Sequence, residues 1–369
     1  MQSIFSTING CCNFQHLKKL VHNCVIQGDK TNIHVVKTIQ DIQKAEWESL
    51  VDTDLTGISH AWFKTVEESG MRDMSYVLVK EDGNLVAAAV CYPYTEALYS
   101  VRVPFLEVRS PFGVSPAFFF KSPAFIEYLM RGLRQVQMYT DTQGLLLLEL
   151  KKDEFTTIRK KAKHMVEFPL HDETYLDLDF NDFDEYLQSL GSSDRRSIRK
   201  TLNRAEKRWN ITTVFTHEFS RWKHVAHNLL GYMCEEHDSH RMHLTGKFYD
   251  ALEKNLKDRA ELIICFKENI PLACGLVLNS ATTAQHKFVG IDPEYRKYQA
   301  YFLLYYEGIK RAIEKNQEKI CFGPTTYSFK EKIGCRREKV FGLVRINNPV
   351  LHLLLKSYIK IFTLKDKKF

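Results

Sequence analysis

Three groups of residues in this sequence could do chemistry. The first is Gly323-Pro324-Thr325-Thr326-Tyr327-Ser328-Phe329-Lys330, directly after the apolar run Ile320-Cys321-Phe322. A loop that follows a buried strand presents side chains to a cleft. That makes Lys330 and Tyr327 candidates to touch a reacting group; the alternative is a solvated surface lysine. The second is Glu235-Glu236-His237-Asp238-Ser239-His240-Arg241-Met242-His243, a dense run of titratable groups. Glu236 or His240 could remove a proton there, or the run is a hydrated loop. The third group is cationic. Asp194 to Arg208 carries seven basic residues against Asp194 and Glu206, a local charge of +5. Ile198, Leu202, Ala205 and Trp209 recur at helical spacing, so a helix would bury them and turn Arg196, Lys200 and Arg204 to one outer face. With Arg199, that face suits a phosphate track; its plain reading is a solvated surface. No aromatics interleave for base stacking, so base-specific recognition is not indicated. Further on, Tyr295, Arg296 and Tyr298 follow a strand ending near Asp292-Pro293. Arg296 could hold a phosphate or carboxylate in its fork, or form a loop ion pair.

These residues need a scaffold, and the composition allows one. The chain has 369 residues, 44% apolar and 26% charged, enough for two domains with real cores. No apolar stretch approaches the roughly 20 residues that span a bilayer, and the first residues do not form a convincing signal peptide. The expectation is a cytoplasmic protein. The nine cysteines include no C-x-x-C pair, which argues against a zinc ribbon or disulfide framework. Phosphate-loop, nucleophile-elbow, H-E-x-x-H and dinucleotide signatures are absent. The net charge of +7 hints at an anionic partner.

Residues 1–31 show no clear period and are expected to be an extension. Beyond them, strands are predicted at Ile33-Val36, Tyr76-Val79, Val86-Tyr92, Ser100-Val108 and Leu145-Leu148. Helices are predicted over Asp41-Leu50, His60-Glu68 and Phe125-Met138. The second part repeats the order, with helices from Phe183 to Trp209 broken near Gly191, a hairpin at Leu262-Leu278, a strand at Gln285-Ile291 and a helix at Tyr301-Glu314. The hairpins YVLVKEDGNLVAAAVCY and LIICFKENIPLACGLVL each follow two helices and precede strand, helix, strand. This order predicts an internal duplication of an α/β unit.

The block VGIDPEYRKYQAYFLLYYEGIKRAIEK, followed by CFGPTTYSFKEKIGC, resembles the acceptor strand and next helix of the GNAT acyltransferase superfamily. With SLGSSDRRSIRKTLNRAEK upstream, it resembles the Fem-like and BioF2-like branch, of peptidoglycan biosynthesis or recognition type. The resemblance spans about residues 33–350. It implies an α/β (α+β) fold of two tandem GNAT-like domains, each a mixed, mainly antiparallel sheet flanked by helices. The expected domains are 32–170 and 171–348, the second holding the active site, with a basic amphipathic tail at 349–369. The implied activity is N-acyl transfer to an amine acceptor: a small molecule, amino acid or peptide precursor. The donor would be acyl-CoA, acyl-carrier protein or aminoacyl-tRNA. The matching lysine, Lys330, would orient the donor or stabilise the oxyanion; the titratable run itself, not the resemblance, offers Glu236 or His240 to deprotonate the amine. No metal is implied.

One departure concerns the donor. A CoA-binding turn of type R/Q-x-x-G-x-G/A wraps a pyrophosphate with backbone N–H groups. Aligned on Arg296, this chain has Gln299 and Tyr301 at the two small positions, which weakens CoA and keeps carrier proteins and charged tRNA in view. The tail, Val350 to Phe369, could lie on an anionic membrane or pack on the second domain. The competing function is a non-catalytic module that docks a polyanion through its basic helix.

Overall fold

The structure is a computed structural model and describes residues 31–98, 101–237 and 243–366. His240 and residues 1–30 of the expected extension lie outside these ranges. The first half runs Thr31–Val36 (β1), Lys44–Glu48 (α1), His60–Ser69 (α2), Ser75–Glu81 (β2), Asn84–Leu98 (β3), Val101–Val108 (β4), Phe118–Phe120 (β5), Ile126–Thr140 (α3), Gly144–Leu150 (β6), Lys152–Lys161 (α4) and Val166–Asp177 (β7). Phe183–Ser189 (α5) and Ser192–Lys207 (α6) lead into the second half. There follow Ile211–Thr216 (β8), Phe219–Glu236 (α7), Gly246–Leu256 (α8), Ala260–Lys267 (β9), Ile270–Asn279 (β10), Thr283–Ile291 (β11), Ala300–Glu314 (α9), Lys319–Cys321 (β12), Tyr327–Lys332 (α10), Arg336–Ile346 (β13) and Pro349–Asp366 (α11).

The two hairpins form where the turn residues allow them. Asp82 and Gly83 join β2 to β3 with φ of 48° and 83°, the left-handed pair that matches strand twist. Glu268, at φ 56°, begins the corresponding turn between β9 and β10. The helix predicted over Asp41-Leu50 is shorter. Thr38 caps a 3-10 turn at Ile39–Asp41 by accepting from the Gln40 N–H, and α1 starts only at Lys44. Ile39 and Ile42 are thereby both turned into the core.

All thirteen strands among the described residues belong to one mixed, mostly antiparallel sheet, with β5 pairing beside β3. The remaining order is β1-β2-β3-β4-β6-β13-β7-β12-β11-β10-β9-β8. The order is palindromic if β7 and β13 are equivalent. Each half therefore receives its innermost strand from the other: β13 lies between β6 and β7, and β7 lies between β13 and β12. The β7–β13 ladder runs from Arg336↔Tyr175 to Val344↔Val166, with a bulge between Val340 and Phe341.

One face of the sheet carries a core shared by both halves. Trp47, Trp62 and Phe63 pack there with Phe219, Phe248 and Leu252, and α2 lies against α8. On the other face α3 and α4 cover the first half, and α5, α6 and α9 cover the second. Leu351, Leu355 and Ile359 of α11 pack on Phe105, Leu146, Val344 and Ile346 near the centre. Cys91, Cys234, Cys265, Cys274, Cys321 and Cys335 are buried free thiols.

Candidate active site

Each half contains one parallel strand pair that stops short. β4 and β6 pair from Phe105↔Gly144 to Val108↔Leu147. β11 and β12 pair from Thr283↔Lys319 to Gln285↔Cys321. Two residues beyond the last pair, each half has a left-handed residue, Glu149 at φ 61° and Gly323 at φ 65°. Polar residues collect beyond both openings.

In the first half, Glu107 and Glu149 are each 1% exposed. The Arg109 guanidinium lies 3.5 Å from Glu107 and 3.3 Å from Glu149, and it donates to the Tyr92 hydroxyl at 3.4 Å. His171 Nε2 lies 3.0 Å from the other Glu149 oxygen. At the junction, β7 and β13 set Glu173 directly opposite Glu338. Two carboxylates in register repel, and Lys151 answers at 3.1 Å from Glu338. Burial pushes the Glu173 carboxyl above the usual range, with Lys151 and Lys287 pulling it back. Burial opposes the Lys151 ammonium, but Glu173 and Glu338 outweigh it and hold its pKa up. A cavity of about 120 Å³ opens here, lined by Lys151, Glu173, Gln285, Cys321, Glu338 and Val114.

Lys287 enters from β11. Part of the residue reaches solvent, but its Nζ is enclosed and has no hydrogen-bond partner among the described residues. A Cβ built on Gly57 would come within 2.9 Å of that nitrogen, and one on Gly113 closer still. Gly57 lies in a 3-10 turn and Gly113 in a loop of the first half, so the ammonium occupies space that only glycine leaves. Burial lowers its pKa to about 8, and Glu173 opposes the shift.

The loop after β12 is strained. Thr325 and Thr326 have φ of 75° and 46°, a region that β-branched residues rarely adopt. Lys330 is not on an open loop but in α10, 1% exposed. Its Nζ donates to the carbonyls of Phe322 at 2.9 Å, Gly323 at 2.9 Å and Pro324 at 2.8 Å. These use all three donors of the ammonium, so Lys330 clamps the loop, and a direct bond to substrate would require it to release a carbonyl. Burial lowers its pKa to about 8. The Tyr327 hydroxyl donates to the Asp172 carbonyl at 3.0 Å and accepts from the Asp172 N–H at 3.2 Å. Thr174 Oγ1 donates to the Gly323 carbonyl at 2.5 Å.

The other sequence candidates lie elsewhere in the second half. Arg296 is ion-paired with Glu236, and that hydrogen bond lowers the Glu236 carboxyl pKa. The expected phosphate fork and the expected base thus hold each other. Tyr298 packs edge-on against Trp209 at 5.7 Å. Arg199 lies 3.4 Å from Asp184, while Arg196 and Lys200 are exposed on α6. Gln299 takes φ 57° at the start of α9, and its side chain lies 3.4 Å from Thr201 of α6. The basic helix therefore adjoins the Arg296–Tyr301 turn. The Tyr301 hydroxyl sits 2.9 Å from that of Tyr305 and 3.3 Å from Thr326 Oγ1.

The sequence reading missed Glu107, Arg109, Lys151, Glu173 and Lys287. A signal existed, namely charged residues interrupting apolar strands, as in FLEVRS, LLLLELKK and AQHKFVG.

A family model described as FemAB-like, peptidoglycan biosynthesis/recognition, matches residues 106–365. The chain belongs to the FemAB-like family. No curated protein matches it in sequence. Among solved structures, FemX aligns with a TM-score of 0.59 at 14% identity, over 88% of this chain and 100% of that one. A tandem GNAT protein from the clavulanic acid biosynthesis pathway aligns at 0.56 and 11% identity, over 86% and 99%. The C-terminal domain of a putative lysylphosphatidylglycerol synthetase from Agrobacterium fabrum gives 0.56 and 11%, over 85% and 95%. At these identities the likeness shows the fold. As a FemAB-like chain, the protein has the GNAT-like architecture that the resemblance implies.

Proposed function

We propose that the protein is an N-acyltransferase that moves an acyl or aminoacyl group from an activated ester or thioester to an amine acceptor of the peptidoglycan-precursor class. The observation that carries this reading is the open strand pair β11/β12, whose strained loop Lys330 clamps beside the buried carboxyl of Glu173. In this reading an acceptor ammonium gives its proton to Glu173, whose raised pKa makes it the better base than Glu236. The amine attacks the acyl carbon, and the tetrahedral intermediate collapses. The C–O or C–S bond breaks, and the leaving oxygen or sulfur takes up the proton that the attacking nitrogen sheds. Lys330 and Tyr327 hold the loop along which the donor lies, while Lys287 tunes Glu173.

Aminoacyl-tRNA and carrier-protein thioesters fit the donor side better than acyl-CoA. Gln299 and Tyr301 crowd the turn, and the adjoining α6 offers Arg196, Arg199 and Lys200 to a phosphate backbone. Those exposed cations also favour the second reading, a non-catalytic polyanion-binding module. Incubation with each donor class and amine acceptors, read by mass spectrometry, separates the two. A covalent product supports the transferase, and salt-dependent binding without product supports the module.

A further inference from the structure

A second feature lies at the opposite end of β6, away from the open strand pairs. A cavity of about 490 Å³ is lined by Arg134, His164 and Arg345, with Gln143, Asn347 and one carboxylate, Asp141. Among the described residues neither Arg134 nor Arg345 is ion-paired. Burial, then Arg345, Arg134 and His352, lower the His164 pKa. Burial, then Arg345, lower that of His352. Two arginines that face one open space without a carboxylate partner among the described residues, and that keep the histidines beside them neutral, mark a place where an anion would bind favourably.

The helix beside this cavity is amphipathic in an unusual way. Leu351, Leu355 and Ile359 face the sheet. The next stripe around α11 is His352, Lys356 and Lys360. The stripe facing away is apolar: Val350, Leu353, Leu354, Tyr358 and Ile361 are 66%, 64%, 61%, 42% and 58% exposed. Met138, on the cavity wall, is 83% exposed. Five of the nine large exposed hydrophobics among the described residues thus lie along α11, the helix that follows the cavity residues Arg345 and Asn347, and a sixth, Met138, is on the cavity wall; an exposed apolar stripe of this kind marks an interaction surface. Beyond Ile361 the sequence adds Lys365, Lys367 and Lys368. No described helix is long and apolar enough to cross a membrane, so the pattern is that of a helix lying in an interface.

We propose that this face docks on an anionic phospholipid bilayer, with a lipid phosphate seated in the cavity and the outer stripe of α11 in the acyl boundary. Charge complementarity selects this occupant. Residues 1–30 carry Lys18, Lys19 and Lys30 against Asp29, a net +2, and a second copy would bring a net +7. Both would meet a cationic surface with like charge.

The test uses the full chain and vesicle flotation, and it requires no turnover. Vesicles of phosphatidylcholine alone are compared with equal parts phosphatidylcholine and phosphatidylglycerol. Binding is expected only to the anionic vesicles. Arg134→Glu, on an exposed position, should weaken it at least about tenfold, and the pair Leu353→Glu with Leu354→Glu should abolish it. Lys310→Glu, the same charge change on α9, should leave it nearly unchanged. Circular dichroism checks that each variant is folded. Equal binding to both vesicles, or a loss no larger for Arg134→Glu than for Lys310→Glu, overturns the proposal. So does binding of glycerol phosphate without vesicle binding. A dimer in sedimentation that Leu353→Glu dissociates, with no vesicle binding, would assign the face to a second copy and overturn it too.

Discussion

The Lys287 ammonium fills the space that a side chain on Gly113 would need. A strand of the second half and a loop of the first are thereby fitted together around one charge. Gly113→Ala should lower stability by about 1 to 3 kcal/mol through overpacking. The loss should be smaller in a Lys287→Ala background, because the clashing atoms are gone. Urea unfolding of the double-mutant cycle measures this, and an equal loss in both backgrounds would mean that the two positions do not couple.

Lys287 also makes stability depend on pH. Its folded pKa, about 8, lies below the ordinary 10.5. Between these values the unfolded chain binds more protons, so stability rises with pH across that window. The penalty is absent above about 10.5 and complete below about 8. Lys330 has the same shift, so it adds a parallel slope. Lys287→Met should make the rise in stability between pH 7 and 9 shallower and stabilise the protein at neutral pH, by at most about 3 kcal/mol. Thermal melts from pH 7 to 10 decide it; an unchanged slope would place the Lys287 charge in a more polar site.

Lys330 satisfies three carbonyls at once. Lys330→Ala takes this donor from the Phe322 and Pro324 carbonyls, each at about 1 to 3 kcal/mol where buried, while the Gly323 carbonyl keeps Thr174. The strained Thr325-Thr326 backbone should then relax, with faster amide exchange from Thr325 to Lys332. Transfer should fall by about a hundredfold or more as the loop loses its position. Slow exchange in that segment of the variant would show that the clamp is not what holds it.

At Gln299 the backbone is left-handed, which favours glycine. Gln299→Gly should stabilise the chain by about 1 kcal/mol. Together with Tyr301→Gly, it should create measurable CoA binding by calorimetry. Tight CoA binding by the unmodified chain would remove the steric reason for preferring other donors.

How much of this was legible follows from the physics of each signal. The hairpins announced themselves because turn residues and apolar runs are local. The duplication was legible because both hairpins share an order of neighbours. β13 was not, because Arg336-Arg337-Glu338-Lys339 hides a strand whose burial comes from being inserted between β6 and β7. Lys330 was found by its position after β12, yet its burial and three carbonyl partners depend on where Phe322 and Pro324 turn. Glu173 was missed because its chemistry comes from Lys151, Lys287 and Glu338, which approach from three other segments.

The most direct test of the transferase reading is single-turnover transfer from aminoacyl-tRNA to a peptidoglycan-precursor amine, comparing the unmodified chain with Glu173→Gln across pH. Product is expected from the unmodified chain. Glu173→Gln should be slower by a factor of about 10² to 10⁴ with its acid limb lost, while Lys287→Met should keep that limb and move it to higher pH. No product from charged tRNA, carrier thioester or acyl-CoA, or an unchanged rate and pH profile in Glu173→Gln, would contradict it.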